Sequence, residues 1–282
     1  MEKERIGLGR KRRIIVKIGS SSLTHKYTGY LNLRTVEKLA RILCDLRNQG
    51  MDIALVSSGA IAVGRQAMGF ASRPDTTAQK QALAAVGQAK LMMTYEKIFA
   101  EYNQSVAQLL LTRDTMLKDQ NRNNAKNTFE ELFAMGVIPI INENDTVATH
   151  EIEFGDNDRL SAIVAALVQA DLVILLSDID GFYTADPHED PEAELLSLIP
   201  EITEELMGMG TSRTSSRVGT GGMAAKLAAA RMATDAGADM VIANGADVDN
   251  IYRVLEGETV GTLFLAHKNR DFDLIRYMNE EY

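Results

Sequence analysis

The chain has 282 residues, 45% of them hydrophobic and 24% charged, and its 39 acidic and 30 basic side chains give a formal net charge of −9. This composition is typical of a globular protein, and the acidic balance argues against nucleic-acid binding as the main role, because neutralising phosphates requires a basic face. With a single cysteine, Cys44, no apolar run long enough to cross a bilayer and no signal-peptide pattern, the sequence predicts a cytoplasmic protein without a membrane partner.

Apolar, β-branched runs alternate with helical patterns along the whole chain. The runs predicted to be strands are RIIVKIG, DIALVSSGA, SVAQLLLT, VIPIIN, ADLVILLSD, DMVIANG and TVGTLFLA. Helices are predicted between them, for example from Arg34 to Gln49, where Gly50 is a stop signal. Because the strands are continuously apolar rather than alternating, we predict a mainly parallel sheet covered by helices on both faces.

The organisation of the chain is that of a single domain, 1–282, since no repeat or low-complexity linker divides it. A division into two lobes is predicted near residue 170. The basic cluster RKRR, Arg10 to Arg13, is interpreted as a solvated tail before the first strand, and the polar stretch Gly208 to Gly222 is the candidate for mobility.

Four predicted strands end in small, amide, carboxylate or lysine side chains. In open parallel sheets, ligands bind beyond the carboxyl ends of strands, so these four ends together predict a site. They are Lys17-Ile18-Gly19-Ser20, Ser57-Ser58-Gly59-Ala60, Asn142-Glu143-Asn144-Asp145 and Ser177-Asp178.

Two of these ends suit an anion. Lysines at strand ends often only reach towards solvent, but Gly19 and the serines after it favour phosphate contact by Lys17 and nearby backbone N–H groups. The SSGA sequence around Ser58 is equally consistent with an ordinary helix N-cap and with an anion site.

The loops INENDTVAT and FGDNDRLSA are rich in Asp and Asn. Such clusters usually form turns and helix caps, and the spacing of a calcium-binding EF-hand loop is missing. Two of these loops close together suit a zwitterionic substrate, because carboxylate and amide oxygens hold an ammonium group while amide N–H groups hold a carboxylate.

The sequence GTGGMAAK, Gly219 to Lys226, is not a Walker loop, since three residues separate Gly222 from Lys226. It does place Lys226 in the first turns of a predicted helix, where the free N–H groups and the helix dipole also attract an anion. Together with Lys17, Lys226 is predicted to bracket a phosphoryl group during transfer, a reaction in which positioning and charge stabilisation dominate.

These motifs resemble the amino acid kinase family, and specifically its glutamate-phosphorylating branch. The segments that carry the resemblance are VKIGSSSL, SSGAIAVGR, LAAVGQ, QLLLTR, PIINENDTVAT, GDNDRLSA, LLSDIDGFYTADP and GTGGMAAKLAAA, from about Ile14 to Phe264. The resemblance implies a three-layer αβα sandwich with a central, mainly parallel sheet. It also implies ATP with Mg²⁺ as phosphoryl donor and the γ-carboxylate of L-glutamate as acceptor, the first step of proline biosynthesis.

The resemblance also implies roles for individual residues. Lys17 and Lys226 would stabilise the charge on the transferring group, Asp158 would orient both lysines, and Gly19 and Gly59 would offer backbone N–H groups to the phosphates. The residues implied for the glutamate site are Ser58, Asn142, Asp145, Asp156 and Asn157. Those implied for the nucleotide site are Ser177, Asp178, Thr220, Gly221, Gly222, Met223, Ala224, Ala225 and Lys226. No side-chain ligands for a metal are assigned.

Two departures from the family pattern stand out. The C-terminal PUA domain of many members is not expected here, and Ala224-Ala225 replaces a common Ser-Thr pair, which removes two hydroxyl groups. Ser177 stands where threonine is usual but keeps its hydroxyl. The lobe before about residue 170 would bind the amino acid and the lobe from about 171 to 265 the nucleotide.

Further expectations also rest on the resemblance, and two other functions stay open. L-Proline would act as a feedback inhibitor at or near the glutamate site, and the chain would form a homo-oligomer, a dimer or tetramer. One alternative keeps the fold but changes the acceptor to acetylglutamate, aspartate or a nucleotide. The other is a non-catalytic nucleotide sensor, against which both lysines and Asp158 argue.

Overall fold

The structure is a computed structural model that describes residues 2–70, 74–147, 157–185, 190, 192–211 and 222–279, with the backbone alone described for 209–211. Strands in this part of the chain are β1 (Arg13–Ile18), β2 (Asp52–Ser57), β3 (Val106–Leu111), β4 (Ile138–Glu143), β5 (Leu172–Ser177), β6 (Leu198–Ile199), β7 (Asp239–Asn244) and β8 (Thr262–Phe264).

The α-helices of the described residues come between the strands. They are α1 (Glu2–Ile6), α2 (Ser20–Leu23), α3 (Leu33–Asn48), α4 (Ala60–Ala67), α5 (Thr77–Ala100), α6 (Arg113–Leu117), α7 (Asp119–Ala134), α8 (Asn157–Val168), α9 (Glu204–Thr211), α10 (Met223–Ala236), α11 (Asn250–Leu255) and α12 (Leu274–Asn279). A short 3-10 helix, Gly7–Arg10, follows α1. None of the described helices is both long and apolar enough to cross a lipid bilayer.

The chain folds into two compact units. One, the split unit, comprises Met1–Lys17 together with Gly155–Tyr282, and the other, the continuous unit, comprises Ile18–Phe154. These bounds differ from the division predicted near residue 170. The reason is that β1 neighbours β5 in the sheet, so the first residues of the chain join its later part.

The split unit is built on β1, β5, β7, β8 and β6, in that order across the sheet. Strand β5 pairs parallel with β7, with Ser177 opposite Asn244, whereas β8 runs antiparallel to β7. All six residues of β5 are buried, as its continuous apolar sequence predicts. Helices α8 and α10 pack against each other and against β5 and β7.

The basic cluster at the start of β1 is only partly solvated as predicted: Arg10 and Arg12 are exposed, but Lys11 and Arg13 are not. Lys11 Nζ lies 2.6 Å from Asp239 Oδ2, and Arg13 Nη1 donates to the carbonyl of Val168 at 2.7 Å. The carboxylate of Asp171 accepts from the backbone N–H groups of Arg12 and Arg13. The cluster therefore anchors the first strand within the split unit, a role that sequence spacing does not reveal.

The continuous unit holds three parallel strands in the order β3, β4, β2. Helices α3, α5 and α7 pack on them, and α4 crosses α5 at very short range. The crossing depends on two glycines, since a Cβ atom on Gly87 would lie 1.7 Å from the carbonyl oxygen of Ala60, and one on Gly64 would lie 1.9 Å from that of Leu83. This close approach fixes the depth at which α5 lies in the unit.

The predicted fold class, an αβα sandwich with a mainly parallel sheet, is confirmed: among the described residues β2–β4, β3–β4, β5–β7 and β6–β8 pair parallel, β7–β8 pair antiparallel, and helices cover the strands. Of the stretch predicted to be mobile, residues up to Thr211 belong to α9, and residues 212–221 lie outside the described part of the chain.

Candidate active site

The centre of the candidate site is a carboxylate held between two lysines in the split unit. The ammonium group of Lys17 contacts Oδ1 of Asp158, and Lys226 Nζ donates to Oδ2 of the same carboxylate at 2.9 Å. The three residues are only 7%, 1% and 5% exposed, respectively. Two positive charges thus share one negative charge in a nearly water-free setting.

Each member of this cluster is placed by the end of a secondary-structure element. Lys17 is the penultimate residue of the buried strand β1, and Asp158 lies in the first turn of α8, where a carboxylate also suits the helix dipole. Lys226 lies in the first turn of α10, which Gly222 precedes in an extended conformation, with the N–H of Lys226 donating to the carbonyl of Gly222. The two lysines predicted to converge are therefore brought to one carboxylate.

The electrostatics keep Asp158 ionised. Burial by itself raises the pKa of Asp158, but the positive charges and hydrogen bonds of Lys17 and Lys226 outweigh burial and hold this pKa below its ordinary value. The cluster therefore carries an excess positive charge at neutral pH, since two ammonium groups face one carboxylate. Such an arrangement attracts an anion, and a phosphate group has several oxygens that can accept from both cations.

Three of the residues implied for an amino acid, Ser58, Asn142 and Asp145, lie at strand ends in the continuous unit. Ser58 directly follows β2, and its N–H donates to the carbonyl of Ile18 at 3.2 Å. Asn142 lies within the last residues of β4, is 5% exposed, and donates from Nδ2 to Oε1 of Gln88 at 3.0 Å. Asp145 follows in the turn after β4 and is half-buried.

Asp145 differs from an ordinary surface carboxylate. Burial raises the pKa of Asp145 to about 6, compared with an ordinary value of 3.8. Burial makes the charged form of this carboxylate unfavourable in the free protein, and a bound cation would stabilise that charged form. Asp145 is therefore suited to bind an ammonium group.

The two glycines implied to contact phosphates lie before short helices of the continuous unit. Gly19 has an extended conformation before α2, with φ −80° and ψ 159°. Gly59 precedes α4 with φ 103°, in the left-handed region that favours glycine. The positive φ gives Gly59 a conformational reason to be glycine, independent of any ligand.

The residues implied for the nucleotide site are described only in part. Ser177 ends β5, is buried, and its hydroxyl donates to Oδ1 of the exposed Asp178 at 3.1 Å. Met223, Ala224 and Ala225 form the half-buried first turn of α10. Thr220 and Gly221 lie outside the described residues. Of the residues implied for the glutamate site, Asp156 also lies outside the described part of the chain, and Asn157, half-buried, begins α8 in the split unit.

Sequence reasoning missed several polar contacts near these elements. Asn244 Nδ2 donates to Asp180 Oδ1 at 2.7 Å, so a side chain at the end of β7 is tied to the loop that follows β5. The parallel pairing of Ser177 with Asn244 could have suggested this, because it brings the two strand ends together. Gln88 and Tyr95 of α5 were also missed, since both look like ordinary residues of a long helix.

Comparison with known proteins supports the resemblance to the amino acid kinase family over almost the whole chain. The sequence model of the amino acid kinase family matches residues 12–244. The chain is 48% identical over 268 residues to "Glutamate 5-kinase" of Listeria monocytogenes serotype 4b (strain CLIP80459), covering 94% of this chain and 96% of that protein. It is 51% identical over 262 residues to "Glutamate 5-kinase" of Carboxydothermus hydrogenoformans, covering 93% of this chain and 70% of that protein.

Solved structures share the fold at much lower sequence identity. UMP kinase from Bacillus anthracis matches with a TM-score of 0.60 and 15% identity, over 91% of this chain and 96% of that one. Isopentenyl phosphate kinase of T. acidophilum matches with a TM-score of 0.61 and 16% identity, over 89% and 99%. The family match over residues 12–244 and the close relatives lead to one conclusion: this chain belongs to the amino acid kinase family.

Proposed function

We propose that this chain transfers the γ-phosphoryl group of ATP to the γ-carboxylate of L-glutamate, forming L-glutamyl 5-phosphate in the first step of proline biosynthesis. Relatives 48–51% identical over more than nine-tenths of the chain carry the name "Glutamate 5-kinase". The structural observation that carries the proposal is the pair of lysines, Lys17 and Lys226, on the buried carboxylate of Asp158.

The reaction needs charge stabilisation more than proton transfer. An oxygen of the glutamate γ-carboxylate attacks the γ-phosphorus of ATP, and the bond from that phosphorus to the bridging oxygen breaks, so ADP leaves with the electron pair. The attacking carboxylate is already ionised at neutral pH, since its ordinary pKa is about 4.3. No general base is therefore required.

Lys17 and Lys226 are the groups proposed to stabilise the migrating phosphoryl group. Charge spreads over its three equatorial oxygens during transfer, and ammonium groups fixed in a dry site stabilise that charge without reorganising. Asp158 holds both ammonium groups in place and stays ionised throughout, in agreement with its lowered pKa. We assign it a positioning role.

The amino acid is proposed to bind through the polar strand ends of the continuous unit. Asp145 would pair with the substrate ammonium group, helped by the burial that raises its own pKa. Asn142 and Ser58 would supply neutral hydrogen-bonding groups, and the family resemblance adds Asp156 and Asn157 to the proposed set. The specificity for glutamate would come from these polar groups, because a wrong ligand leaves a buried hydrogen-bonding group without a partner and therefore binds weakly.

The nucleotide is proposed to bind in the split unit at Ser177, Asp178 and the segment from Thr220 to Lys226. The family resemblance adds Gly19 and Gly59 as phosphate contacts. Among the described residues, no group of three His, Cys, Asp or Glu side chains could hold a metal ion. Mg²⁺ is commonly bound through substrate phosphates and one or two carboxylates. We propose Mg²⁺ as the partner of ATP on the family resemblance and assign it no protein ligand.

Three further properties are proposed from the family resemblance alone. L-Proline would inhibit at or near the glutamate site, the chain would assemble as a homo-oligomer, and it would act in the cytoplasm. We also propose, as the resemblance implies, that the lobe before about residue 170 binds the amino acid and the lobe from about 171 to 265 binds the nucleotide.

The activity is tested by trapping the acyl phosphate. Purified protein is incubated with ATP, Mg²⁺ and hydroxylamine, and hydroxamate is measured with L-glutamate, acetylglutamate or aspartate as acceptor. The proposal predicts hydroxamate with glutamate at a kcat/KM at least a hundredfold above the other two. Equal or greater product from acetylglutamate or aspartate would assign a different acceptor, and ATP binding without any product would favour a nucleotide sensor.

A further inference from the structure

Helix α5 places two polar side chains on its buried face. Gln88 and Tyr95 are 8% and 0% exposed, and their separation by seven positions, about two helical turns, puts them on the same side of the helix. Gln88 Oε1 accepts a hydrogen bond from Asn142 Nδ2 at 3.0 Å, and the hydroxyl of Tyr95 lies 2.8 Å from that of Ser57. Both contacts join α5 to the end of a strand.

The two strand ends that α5 reaches are neighbours. Strands β2 and β4 pair parallel, with Val56 opposite Ile141, so Ser57 and Asn142 follow side by side at their carboxyl ends. This edge of the continuous unit is the one proposed to bind the amino acid. Hydrogen bonds from the buried face of α5 can therefore determine which side-chain atoms of this edge face the amino acid.

The contact with Gln88 fixes the orientation of the Asn142 amide. A side-chain amide has a donor end and an acceptor end that differ little in size, and it can exchange them by a half turn. With the Asn142 amino group directed at the Gln88 oxygen, the Asn142 oxygen must lie on the opposite side of the amide carbon. Because Gln88 and Asn142 are both less than 9% exposed, neither side chain can turn towards solvent to adopt another orientation.

We propose that Gln88 is a positioning residue for glutamate binding: its side-chain oxygen sets the orientation in which Asn142 faces the substrate. The inference rests on the proposed function, in which Asn142 binds the amino acid. Gln88 acts through Asn142 and need not touch the substrate itself.

The crossing of α4 and α5 supports this role, because it fixes the helix next to the residue concerned. Gly87 immediately precedes Gln88, and it lies so close to α4 that a Cβ atom would overlap the carbonyl oxygen of Ala60. The backbone beside Gln88 is thereby held at a set depth. A side chain on such a backbone can orient a neighbour with little freedom of its own.

A double-mutant cycle tests the proposal. Gln88→Met keeps the side-chain length but removes the acceptor, and Asn142→Ala removes the group that Gln88 is proposed to orient. We expect Q88M alone to raise the KM for glutamate roughly tenfold, the effect of losing one well-placed hydrogen bond, with the KM for ATP changed less than twofold. In the N142A background, Q88M should raise the KM for glutamate by less than twofold more.

Tyr95→Phe is the matched control. It lies on the same buried face and also removes one hydrogen bond, but its partner is Ser57 and not Asn142. Its effect on the KM for glutamate should be the same in the wild-type and N142A backgrounds. Melting temperatures of all variants show whether any change in KM reflects unfolding, and Gln88→Leu replaces Q88M in the cycle if Q88M does not fold.

The outcomes separate this inference from the proposed function. A Q88M effect of the same size in both backgrounds would overturn the positioning role, as would equal changes in the KM values for glutamate and ATP. If N142A leaves the KM for glutamate unchanged, the role of Asn142 fails, and the inference fails with it. Absence of hydroxamate from the wild-type protein would instead refute the proposed function itself.

Discussion

Lys226 donates to the carboxylate of Asp158 at 2.9 Å, although 68 positions separate the two residues in the sequence. Lys17 contacts the other oxygen of the same carboxylate, so three distant segments of chain meet at one charged centre. Because all three residues belong to the split unit, its fold alone assembles this centre. Its excess positive charge is the physical basis of the proposed phosphoryl transfer.

Removal of the Lys226 ammonium group should affect turnover far more than substrate binding. We expect Lys226→Ala to lower kcat by about 10²–10³, the usual effect of losing one preorganised charge contact, while the KM for glutamate changes less than threefold. Lys90→Ala, at an exposed position of α5, is the control and should leave both parameters unchanged. A K226A variant with wild-type kcat would exclude the proposed role of this lysine.

Neutralising Asp158 should lower both activity and stability. Asp158→Asn leaves two buried ammonium groups without their carboxylate, and breaking a buried ion pair in this way lowers the free energy of unfolding by about 3 kcal/mol. Asp114→Asn is the control, since the Asp114–Lys118 pair is 62% exposed on both sides and such pairs contribute less than about 1 kcal/mol. Urea unfolding of both variants gives the comparison, and equal losses of stability would contradict the account of the buried cluster.

The raised pKa of Asp145 predicts a pH dependence of glutamate binding. Since Asp145 has a pKa of about 6 in the folded chain, it is largely neutral below pH 5 and ionised above pH 7. If its carboxylate pairs with the substrate ammonium group, the KM for glutamate should rise as the pH falls through 6. In Asp145→Asn this KM should be higher at pH 7.5 and nearly independent of pH; a D145N profile that retains the wild-type inflection near pH 6 would assign the titration to another group.

The same ionisation has the opposite consequence for stability. A carboxylate with a pKa raised from 3.8 to about 6 binds protons more readily in the folded than in the unfolded chain between these two values. The contribution of Asp145 to the free energy of unfolding therefore decreases as the pH rises from about 4 to 6 and is constant above it. The difference between wild-type and D145N stability, measured by urea unfolding at pH 5 and 7.5, should show this decrease. A larger difference in favour of the wild type at pH 7.5 would contradict the sign.

The crossing of α4 and α5 should not tolerate a methyl group. Replacing a helical glycine by alanine ordinarily stabilises a helix by about 0.5–1 kcal/mol. In Gly87→Ala the new Cβ atom would lie 1.7 Å from the carbonyl oxygen of Ala60, so we expect a loss of about 2 kcal/mol or more. Gly7→Ala, where the added atom has no neighbour within 4 Å, should be nearly neutral. An unchanged melting temperature for G87A would mean that α5 can shift, which would also weaken the positioning role of Gln88.

Much of the fold could be predicted because its strands are long apolar runs. The helix predicted from Arg34 to Gln49 is observed at Leu33–Asn48, and the buried strand after Asp171 lies within its predicted run. Strand β6 has only two residues and no periodicity to detect, and the three residues of β8 carry no pattern that gives its antiparallel direction against β7.

The candidate site was predictable to a different extent for each residue. Lys17 and Lys226 could be selected because each lies close to glycines, at a strand end or at a helix start, where backbone N–H groups can also face an anion. Asp158 was identified only through the family resemblance, since its local sequence is that of an ordinary helix start. Gln88 lies in the LAAVGQ segment, but no role could be given to it, because its role depends on which face of α5 meets β4, and only the three-dimensional packing determines that.

The central claim, that two lysines act on one migrating phosphoryl group, is tested most directly by a crystal structure with ADP, Mg²⁺, glutamate and a metal fluoride that mimics the phosphoryl group in transfer. We predict that the Nζ atoms of Lys17 and Lys226 both lie at hydrogen-bond distance, about 3 Å, from the fluoride ligands, with Asp158 still contacting both lysines. A complex in which either ammonium group points away from the mimic would contradict the claim.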